Sequence, residues 1–221
     1  MKMKIKIGYI LCGGALVLVI CAAIPTVVLS KNSNMSTKPK SEEFIIKTTW
    51  NNQTVPQDEF VYVKITLEDE HLVVDVEGKF YNDPKLPDWT NDTRTHTTLY
   101  NYEVIELFLL APNEHYLEIE LGPKGQYFLL EFKGAKKEFR YPIEVDKYIV
   151  KHNDNGRWSG KAFISIKDLP QGIFKLNAFA IHGSNDKRVY MALYPAPFNS
   201  SSYPEPDFHK LELFQENDFF K

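Results

Sequence analysis

The sequence predicts an all-β fold, an antiparallel β-sandwich, preceded by one N-terminal transmembrane helix. Segments that alternate apolar and polar residues, rich in β-branched and aromatic side chains, recur every 8–12 residues and give about nine strands. Clusters of Gly, Pro, Asn and Asp separate these segments and predict tight turns. Beyond the N-terminal apolar run, no long stretch has the 3.6-residue period of an amphipathic helix.

The N-terminal thirty residues have the pattern of a membrane anchor. Three lysines lie in residues 1–6, and the run from Ile7 to Ser30 is uncharged. A membrane-spanning helix needs about 20 apolar residues, whereas the apolar core of a signal peptide has about 7–15. We therefore expect a cytoplasmic tail over residues 1–6 and a signal-anchor over residues 7–30. Cleavage as a signal peptide remains the alternative, because small residues follow Cys21 and precede Lys31.

Four glycosylation sequons lie beyond the apolar run, beginning at Asn34, Asn52, Asn91 and Asn199. Four acceptor sites on the same side of the run favour a lumenal or extracellular domain. This arrangement predicts a single-pass type II membrane glycoprotein, with a secreted protein as the alternative. Both cysteines lie inside the apolar run, so the domain is expected to contain no disulfide and no thiolate metal site.

The chain beyond the anchor is predicted to hold one domain. Residues 31–43 are rich in Ser, Asn, Lys and Pro and read as a linker, and the sandwich is expected over residues 44–221. Residues 167–170 are predicted to form one helical turn. Strands are expected over residues 60–67, 71–78, 99–110, 116–121, 126–132, 147–152, 158–166, 174–182 and 188–194.

The predicted strand over residues 99–110 contains an unusual carboxylate. Val104, Phe108 and Leu110 share one face with Glu106, so a charged residue stands in an apolar row. Because burial of an unpaired charge is costly, Glu106 must find a partner, line a cleft or face water. Tyr100 precedes Glu106 by six residues, and this even spacing places both on one face if the strand begins early.

Composition and motifs argue against several classes of function. The net charge of −3 gives no support for nucleic-acid binding. No P-loop, G-x-S-x-G or H-E-x-x-H motif occurs, so the familiar enzyme signatures are absent. His182 and His209 lack the spacing of metal ligands. We expect no metal, no cofactor and no enzymatic activity.

Carboxylates supply the remaining candidates for catalysis. Glu103 with Glu106, or Glu118 with Glu120, offer paired carboxylates of the glycosidase type. The usual strand alternation instead predicts that Glu118 and Glu120 lie with Tyr116 on a solvated outer face.

Aromatic residues make a stronger case for binding. Aromatic side chains are 14% of the chain, and flat rings of this kind stack on sugars and other planar ligands. Hydrogen-bonding side chains nearby would orient such a ligand, and Glu106, Asn177 and Arg188 are the candidates. The candidate stacking rings are Tyr100, Tyr194, Trp89, Trp50 and Tyr190.

Several segments in order resemble uncharacterised protein family 0462. The segments read Y-E-V-I-E-L-F from Tyr102, Y-L-E-I-E-L-G-P-K-G-Q from Tyr116, L-N-A-F-A-I-H-G from Leu176, A-L-Y-P-A-P from Ala192 and P-D-F-H-K-L-E from Pro206. The resemblance extends from about Phe44 to Phe214. It names a family without assigning an activity.

The same order of segments is more distantly similar to family-9 carbohydrate-binding modules and to the wider group of DOMON-like sandwiches. In the sugar-binding modules two tryptophans clamp a sugar, and a glutamate bonds its hydroxyl groups. Carried over by motif, the resemblance puts Tyr100 and Tyr194 at the clamp positions and Glu106 at the glutamate position. Tyrosine at both clamp positions departs from the pattern and implies weaker stacking or a different ligand.

The sequence therefore predicts a membrane-tethered, non-catalytic β-sandwich that binds carbohydrate or a similar polar ligand through Tyr100, Glu106, Tyr194, Asn177, Arg188 and Trp89. One alternative is a protein-interaction module without a small-ligand site. A second alternative is haem binding, as in DOMON cytochromes, for which Met191 and His182 are the available axial ligands.

Overall fold

A computed structural model describes residues 39–87 and 97–221 of the chain. The predicted tail over residues 1–6, the predicted anchor over residues 7–30, and Asn34, Trp89 and Asn91 lie outside the described residues. In the described ranges no helix has the length and apolar character that a membrane crossing requires.

The described residues form an all-β fold of two antiparallel sheets. The strands are β1 (Lys40–Ile46), β2 (Thr48–Thr49), β3 (Val61–Glu68), β4 (His71–Lys79), β5 (Val104–Ala111), β6 (His115–Leu121), β7 (Tyr127–Lys133), β8 (Glu138–Arg140), β9 (Lys147–His152), β10 (Arg157–Ser165), β11 (Lys175–His182), β12 (Val189–Ala192) and β13 (Gln215–Glu216). One sheet has the order β1-β3-β4-β10-β9, and the larger sheet has the order β2-β12-β11-β5-β6-β7-β8, with β13 also paired to β11.

The main apolar core lies between the two sheets. Alternate residues of β3, β4 and β10 face it from the smaller sheet, and Trp158 is its largest fully buried side chain. Ile105, Leu107 and Leu109 of β5 face it from the larger sheet. The period-two pattern of the sequence thus places one face of each strand in a shared core, as in a β-sandwich.

The opposite face of the larger sheet is also buried. Every residue of β5 is buried, because a second apolar cluster covers the outer face of this sheet. The covering segments are the described parts of the β4–β5 connection and the β12–β13 connection, residues 193–214. We call them the outer cover. They contribute the buried residues Leu86, Leu99 and Phe214 and the partly buried Phe208 and Leu211.

The strand predictions are largely confirmed, with differences at the ends. The first strand begins at Lys40, within the segment interpreted as a linker. Residues 99–101 form a 3₁₀ turn and not the start of β5, which begins at Val104. Strands β1, β2, β8 and β13 are not among the predicted strands. The predicted helical turn is present as a 3₁₀ turn over Ile166–Asp168.

Candidate functional site

A cavity of about 280 Å³ lies between the outer face of the larger sheet and the outer cover. Its volume is close to the lower end of the range of small-molecule sites, about 300 Å³, which suits a ligand of monosaccharide size. We call it the carboxylate cavity. Its walls are formed by Tyr100, Glu106, Glu118, Lys136, Ile181, Tyr190, Pro206, Asp207, Phe208 and His209.

Strand register brings three glutamates together at this cavity. Glu106 on β5 pairs directly with Glu120 on β6, and Glu118 precedes Glu120 by two residues on the same face. Directly paired side chains of neighbouring strands have Cβ atoms about 5 Å apart. Glu106 and Glu118 line the cavity, and Glu120 lies beside them.

All three carboxyl groups are removed from water. The exposed fractions of Glu106, Glu118 and Glu120 are 2%, 6% and 2%. Burial raises the pKa of Glu106 to about 8, and burial also raises the pKa of Glu118 and Glu120 well above the ordinary value. The negative charge of Glu106 adds to this rise in the pKa of both Glu118 and Glu120.

Two carboxyl oxygens of this cluster have no hydrogen-bond partner among the described residues, Oε2 of Glu118 and Oε2 of Glu120. Buried polar atoms in folded proteins are almost always hydrogen-bonded, and an unpartnered one costs about 1–3 kcal/mol. Glu106 and Glu118 both line the cavity, so a ligand in that space would lie against two buried carboxyl side chains.

The nearby cations are engaged elsewhere. Arg188 lowers the pKa of Glu106 by charge attraction, which opposes the larger effect of burial. Its guanidinium nevertheless donates to the carbonyl oxygens of Tyr100 at 2.5 Å, Asn101 at 2.8 Å and Gly183 at 3.2 Å. Lys136 pairs with Asp207 at 2.9 Å. Neither cation forms an ion pair with the glutamates of the cavity in the described part of the chain.

His209 forms a neutral wall of the cavity. Burial lowers the pKa of its imidazole to about 4. The Tyr116 hydroxyl accepts the Lys136 backbone N–H and lies 2.7 Å from His209 Nδ1, so Tyr116 donates to Nδ1 and the ring proton resides on Nε2. Nε2 is 3.9 Å from Glu118 Oε2, which is too long for a hydrogen bond.

Aromatic side chains frame the entrance. Tyr100 is 49% exposed and lines the cavity from the 3₁₀ turn that precedes β5. Tyr190 and Phe208 line the opposite side, with ring centroids 6.1 Å apart and an edge-to-face arrangement. The Arg188 guanidinium lies 5.5 Å from the centre of the Tyr190 ring, so Tyr100 carries the more accessible stacking surface.

A larger groove of about 750 Å³ lies on the outer face of the smaller sheet. We call it the outer groove. Tyr62 and Ile45 are exposed in it, and four of its charged side chains form ion pairs, Lys64 with Glu43 and Lys161 with Asp75, each at 2.9 Å. Paired and solvated charges are ordinary for a sheet face, whereas unpartnered buried carboxyls are not. The carboxylate cavity is therefore the better candidate.

Comparison with known proteins identifies the family. The chain is 36% identical to the rat UPF0462 protein C4orf33 homolog over 179 residues, which are 80% of this chain and 88% of the rat protein. It is 34% identical to the human UPF0462 protein C4orf33 with the same coverage, and 34% identical to the zebrafish homolog over 176 residues. This chain belongs to the UPF0462 family. No family model matches the sequence.

A solved structure shares the fold of this UPF0462 chain. It is a "putative carbohydrate-binding protein" from Bacteroides uniformis ATCC 8492, with a TM-score of 0.54 and 12% sequence identity. The match covers 79% of this chain and 84% of the bacterial one. At this identity the likeness extends to the fold alone.

Two predicted ligand contacts lie elsewhere in this UPF0462 chain. Tyr194 does not line the carboxylate cavity but a separate crevice of about 10 Å³ beside Trp50, so the expected clamp of Tyr100 and Tyr194 is not formed there. Asn177 is fully buried, and its amide donates to the Tyr194 carbonyl and accepts the Tyr194 N–H, both at 3.0 Å. Asn177 thus fixes backbone geometry.

Arg188 also has a structural role, because its donors hold the 3₁₀ turn that carries Tyr100. The cavity brings together Tyr100, Glu106 and Tyr190 of the predicted set. Trp89 lies outside the described residues.

The two predicted carboxylate pairs have different geometries. Glu103 accepts the N–H groups of Tyr81 and Asn82 at 3.0 and 2.7 Å, and its odd spacing from Glu106 separates the two carboxyls onto different faces. The expectation that Glu118 and Glu120 face solvent is wrong, because the outer cover buries them.

The haem alternative has no geometric support. Met191 is fully buried in the main core, and the His182 ring lies flat on Tyr81 with centroids 3.7 Å apart. Burial lowers the pKa of His182 to about 4. In the described ranges no group of three His, Cys, Asp or Glu side chains is arranged to hold a metal ion.

Sequence reasoning gave no ligand role to Lys136, Asp207 or Phe208. Asp207 and Phe208 lie in the P-D-F-H segment that contributes to the family resemblance, so the segment was noticed without a function. Lys136 stands in an unpatterned turn, and nothing in the sequence connects it to Glu118.

Proposed function

We propose that this UPF0462 domain is a non-catalytic module that binds carbohydrate or a similar polar ligand in the carboxylate cavity. One observation carries the proposal: the buried side chains of Glu106 and Glu118 line a cavity that the half-exposed ring of Tyr100 also lines, and Glu118 Oε2 has no hydrogen-bond partner among the described residues. An apolar ring beside convergent polar groups is the usual composition of a site for a small polar ligand.

The proposed mechanism combines stacking with hydrogen bonding. A sugar ring packs its apolar face on Tyr100, and its hydroxyl groups reach Glu106 and Glu118. An ionised carboxylate accepts hydrogen bonds from hydroxyl groups, and a protonated carboxyl also donates one. Because its pKa is about 8, Glu106 is mainly protonated at neutral pH, and its carboxyl group can both donate and accept a hydrogen bond with the ligand. The fold shared with the bacterial carbohydrate-binding-like protein supports this proposal at the level of architecture.

A glycan array probed with the full chain tests the proposal. Wild type is expected to bind at least one class of glycan, and Tyr100→Ala is expected to lose about 1–3 kcal/mol of binding free energy with the stacking surface. Tyr62→Ala is the matched control, because Tyr62 is similarly exposed but lies in the outer groove. Absence of any glycan hit, or loss of binding in Tyr62→Ala alone, would contradict the proposed site.

The proposed setting is the lumenal or extracellular side of a membrane, with the N-terminal apolar run as the anchor. Two of the four sequon asparagines are described, and both Asn52 and Asn199 are exposed with backbone φ angles of 64° and 55° in turns. Their accessibility suits glycosylation and supports this setting.

A further inference from the structure

No cation of the described residues is paired with the glutamate carboxyl groups of the carboxylate cavity. Lys136 is matched by Asp207, and His209 is neutral near pH 7 because burial lowers the pKa of its imidazole. Arg188 acts on Glu106, while the strongest charge interactions of Glu118 and Glu120 are with other carboxylates. The groups that face this cluster from neighbouring elements are Tyr116, Glu138, Lys136, Arg188, Asp207 and His209.

Geometry points to the missing partner. Glu118 lines the cavity, and its buried Oε2 accepts no hydrogen bond from a described residue. Glu106 lines the same space, and the unpartnered Oε2 of Glu120 lies on the same sheet face. Hydrogen-bond donors and positive charge both stabilise the ionised form of such a cluster. A primary ammonium group supplies three N–H donors and one positive charge from a single atom.

The aromatic walls suit a cation as well as a sugar ring. Tyr100, Tyr190 and Phe208 surround the entrance, and ammonium groups are attracted to the faces of aromatic rings within about 6 Å. A neutral hydroxyl would supply one O–H donor and would leave the carboxyl groups protonated.

We propose that the ligand of the carboxylate cavity carries a primary amine, and that its ammonium group binds between Glu106 and Glu118. This inference rests on the proposed function, whose ligand then becomes an amino sugar. Binding of the ammonium group favours the ionised carboxylates, so protons are released from the cluster when the ligand binds.

Isothermal titration of the full chain tests this at pH 6.5. The probes are glucosamine and galactosamine, each with its neutral parent hexose, and ethanolamine as an amine without a sugar ring. We expect each amino sugar to bind about tenfold more tightly than its parent hexose. A charge-assisted hydrogen bond is stronger than a neutral one by about 1.4 kcal/mol, which corresponds to this ratio. Titration in two buffers of different ionisation enthalpy is expected to show net proton release for the amines only.

Two variants test whether the preference for amines arises in the carboxylate cavity. Glu118→Gln preserves shape and removes the ionisable carboxyl group, and it is expected to abolish the tenfold preference and the proton release. Glu43→Gln is the control, because Glu43 is exposed and paired with Lys64 in the smaller sheet. A preference that persists in Glu118→Gln would overturn the assignment of the amine to this cavity.

The outcomes separate the two proposals. Equal binding of amino sugars and neutral hexoses without proton release would overturn the amine inference and leave carbohydrate binding in place. Binding of ethanolamine without binding of any sugar would support the amine site and contradict the carbohydrate proposal. Failure of every probe to bind would contradict both.

Discussion

The residue with the largest consequence is Glu106, an acidic side chain in an apolar strand. Its neighbours across the sheet are Phe179 on one side and Glu120 on the other, so neither side offers a cation. Burial raises the pKa of Glu106 to about 8 in the folded chain, whereas the ordinary value is about 4.5. Between these two pH values Glu106 is protonated in the folded chain and ionised in the unfolded chain. Stability contributed by Glu106 is therefore present at low pH and is lost as the pH rises through this range.

The pH dependence of unfolding tests this assignment. His182 and His209, with pKa values lowered to about 4, oppose the effect only below about pH 6.5, where the unfolded histidines take up protons. Between pH 6.5 and 8 the midpoint of thermal unfolding of wild type is expected to fall. Glu106→Gln should flatten this slope by about 1 kcal/mol per pH unit, since it removes one such proton.

Loss of the Glu106 charge also lowers the pKa of Glu118 and Glu120, which strengthens the flattening. Glu43→Gln, at an exposed position, should leave the slope unchanged. Parallel pH curves for wild type and Glu106→Gln would show that Glu106 is not a buried, protonated group.

At the level of elements, the 3₁₀ turn over residues 99–101 positions Tyr100 above the cavity. The turn is held by Arg188, which precedes β12 and donates to the carbonyl oxygens of Tyr100 and Asn101. The apolar Leu99 is fully buried in the outer cluster and fixes the other end of the turn. The turn places the Tyr100 ring, and strand β5 places the Glu106 carboxyl group, at the same cavity. The two residues do not lie on one strand.

Removal of the hydrogen bonds that Arg188 donates should destabilise the 3₁₀ turn. In Arg188→Ala the amide protons of Asn101 and Tyr102, which donate to Thr98 and Leu99, are expected to exchange with solvent about tenfold faster, equivalent to about 1.4 kcal/mol. Arg157→Ala is a matched control, because Arg157 donates to the carbonyls of Asp58 and Phe60 on the smaller sheet. Unchanged exchange at Asn101 and Tyr102 in Arg188→Ala would remove Arg188 from this role.

Across the whole molecule, structural features that depend on neighbouring residues can be predicted from the sequence. Features that depend on contacts between distant segments cannot. The alternation and flanking turns of β9 predict its bounds, Lys147–His152, because both signals are local. Strand β8 is short and fully exposed, so it lacks the apolar alternation that would reveal it. The burial of Glu118 and Glu120 depends on residues 193–214, which fold over the sheet without periodic pattern.

The residues of the candidate site also fall into those that local sequence predicts and those that only distant contacts bring together. Glu106 was found because a carboxylate in an apolar row is a local anomaly, and Tyr100 because it stands close by in the chain. Tyr194 was paired with Tyr100 only through the distant resemblance, and the structure places it at a different crevice. The association of His209 with Glu118 joins residues far apart in sequence, which spacing alone does not reveal.

The predicted topology of the whole chain has its own test. If the domain lies on the lumenal side, the full chain expressed in eukaryotic cells carries N-linked glycans, and enzymatic deglycosylation should increase its gel mobility. Substitution of Asn52 and Asn199 by Gln removes two exposed acceptors and should reduce the shift. An unchanged mobility after deglycosylation of wild type would contradict lumenal exposure.

The most direct test of the central claim is a crystal structure of the protein with a glycan selected on the array. We predict a sugar ring stacked on Tyr100, with a polar group of the ligand within about 3.2 Å of a carboxyl oxygen of Glu106 or Glu118. A ligand seated on Tyr62 in the outer groove, with the carboxylate cavity closed to it, would contradict the account.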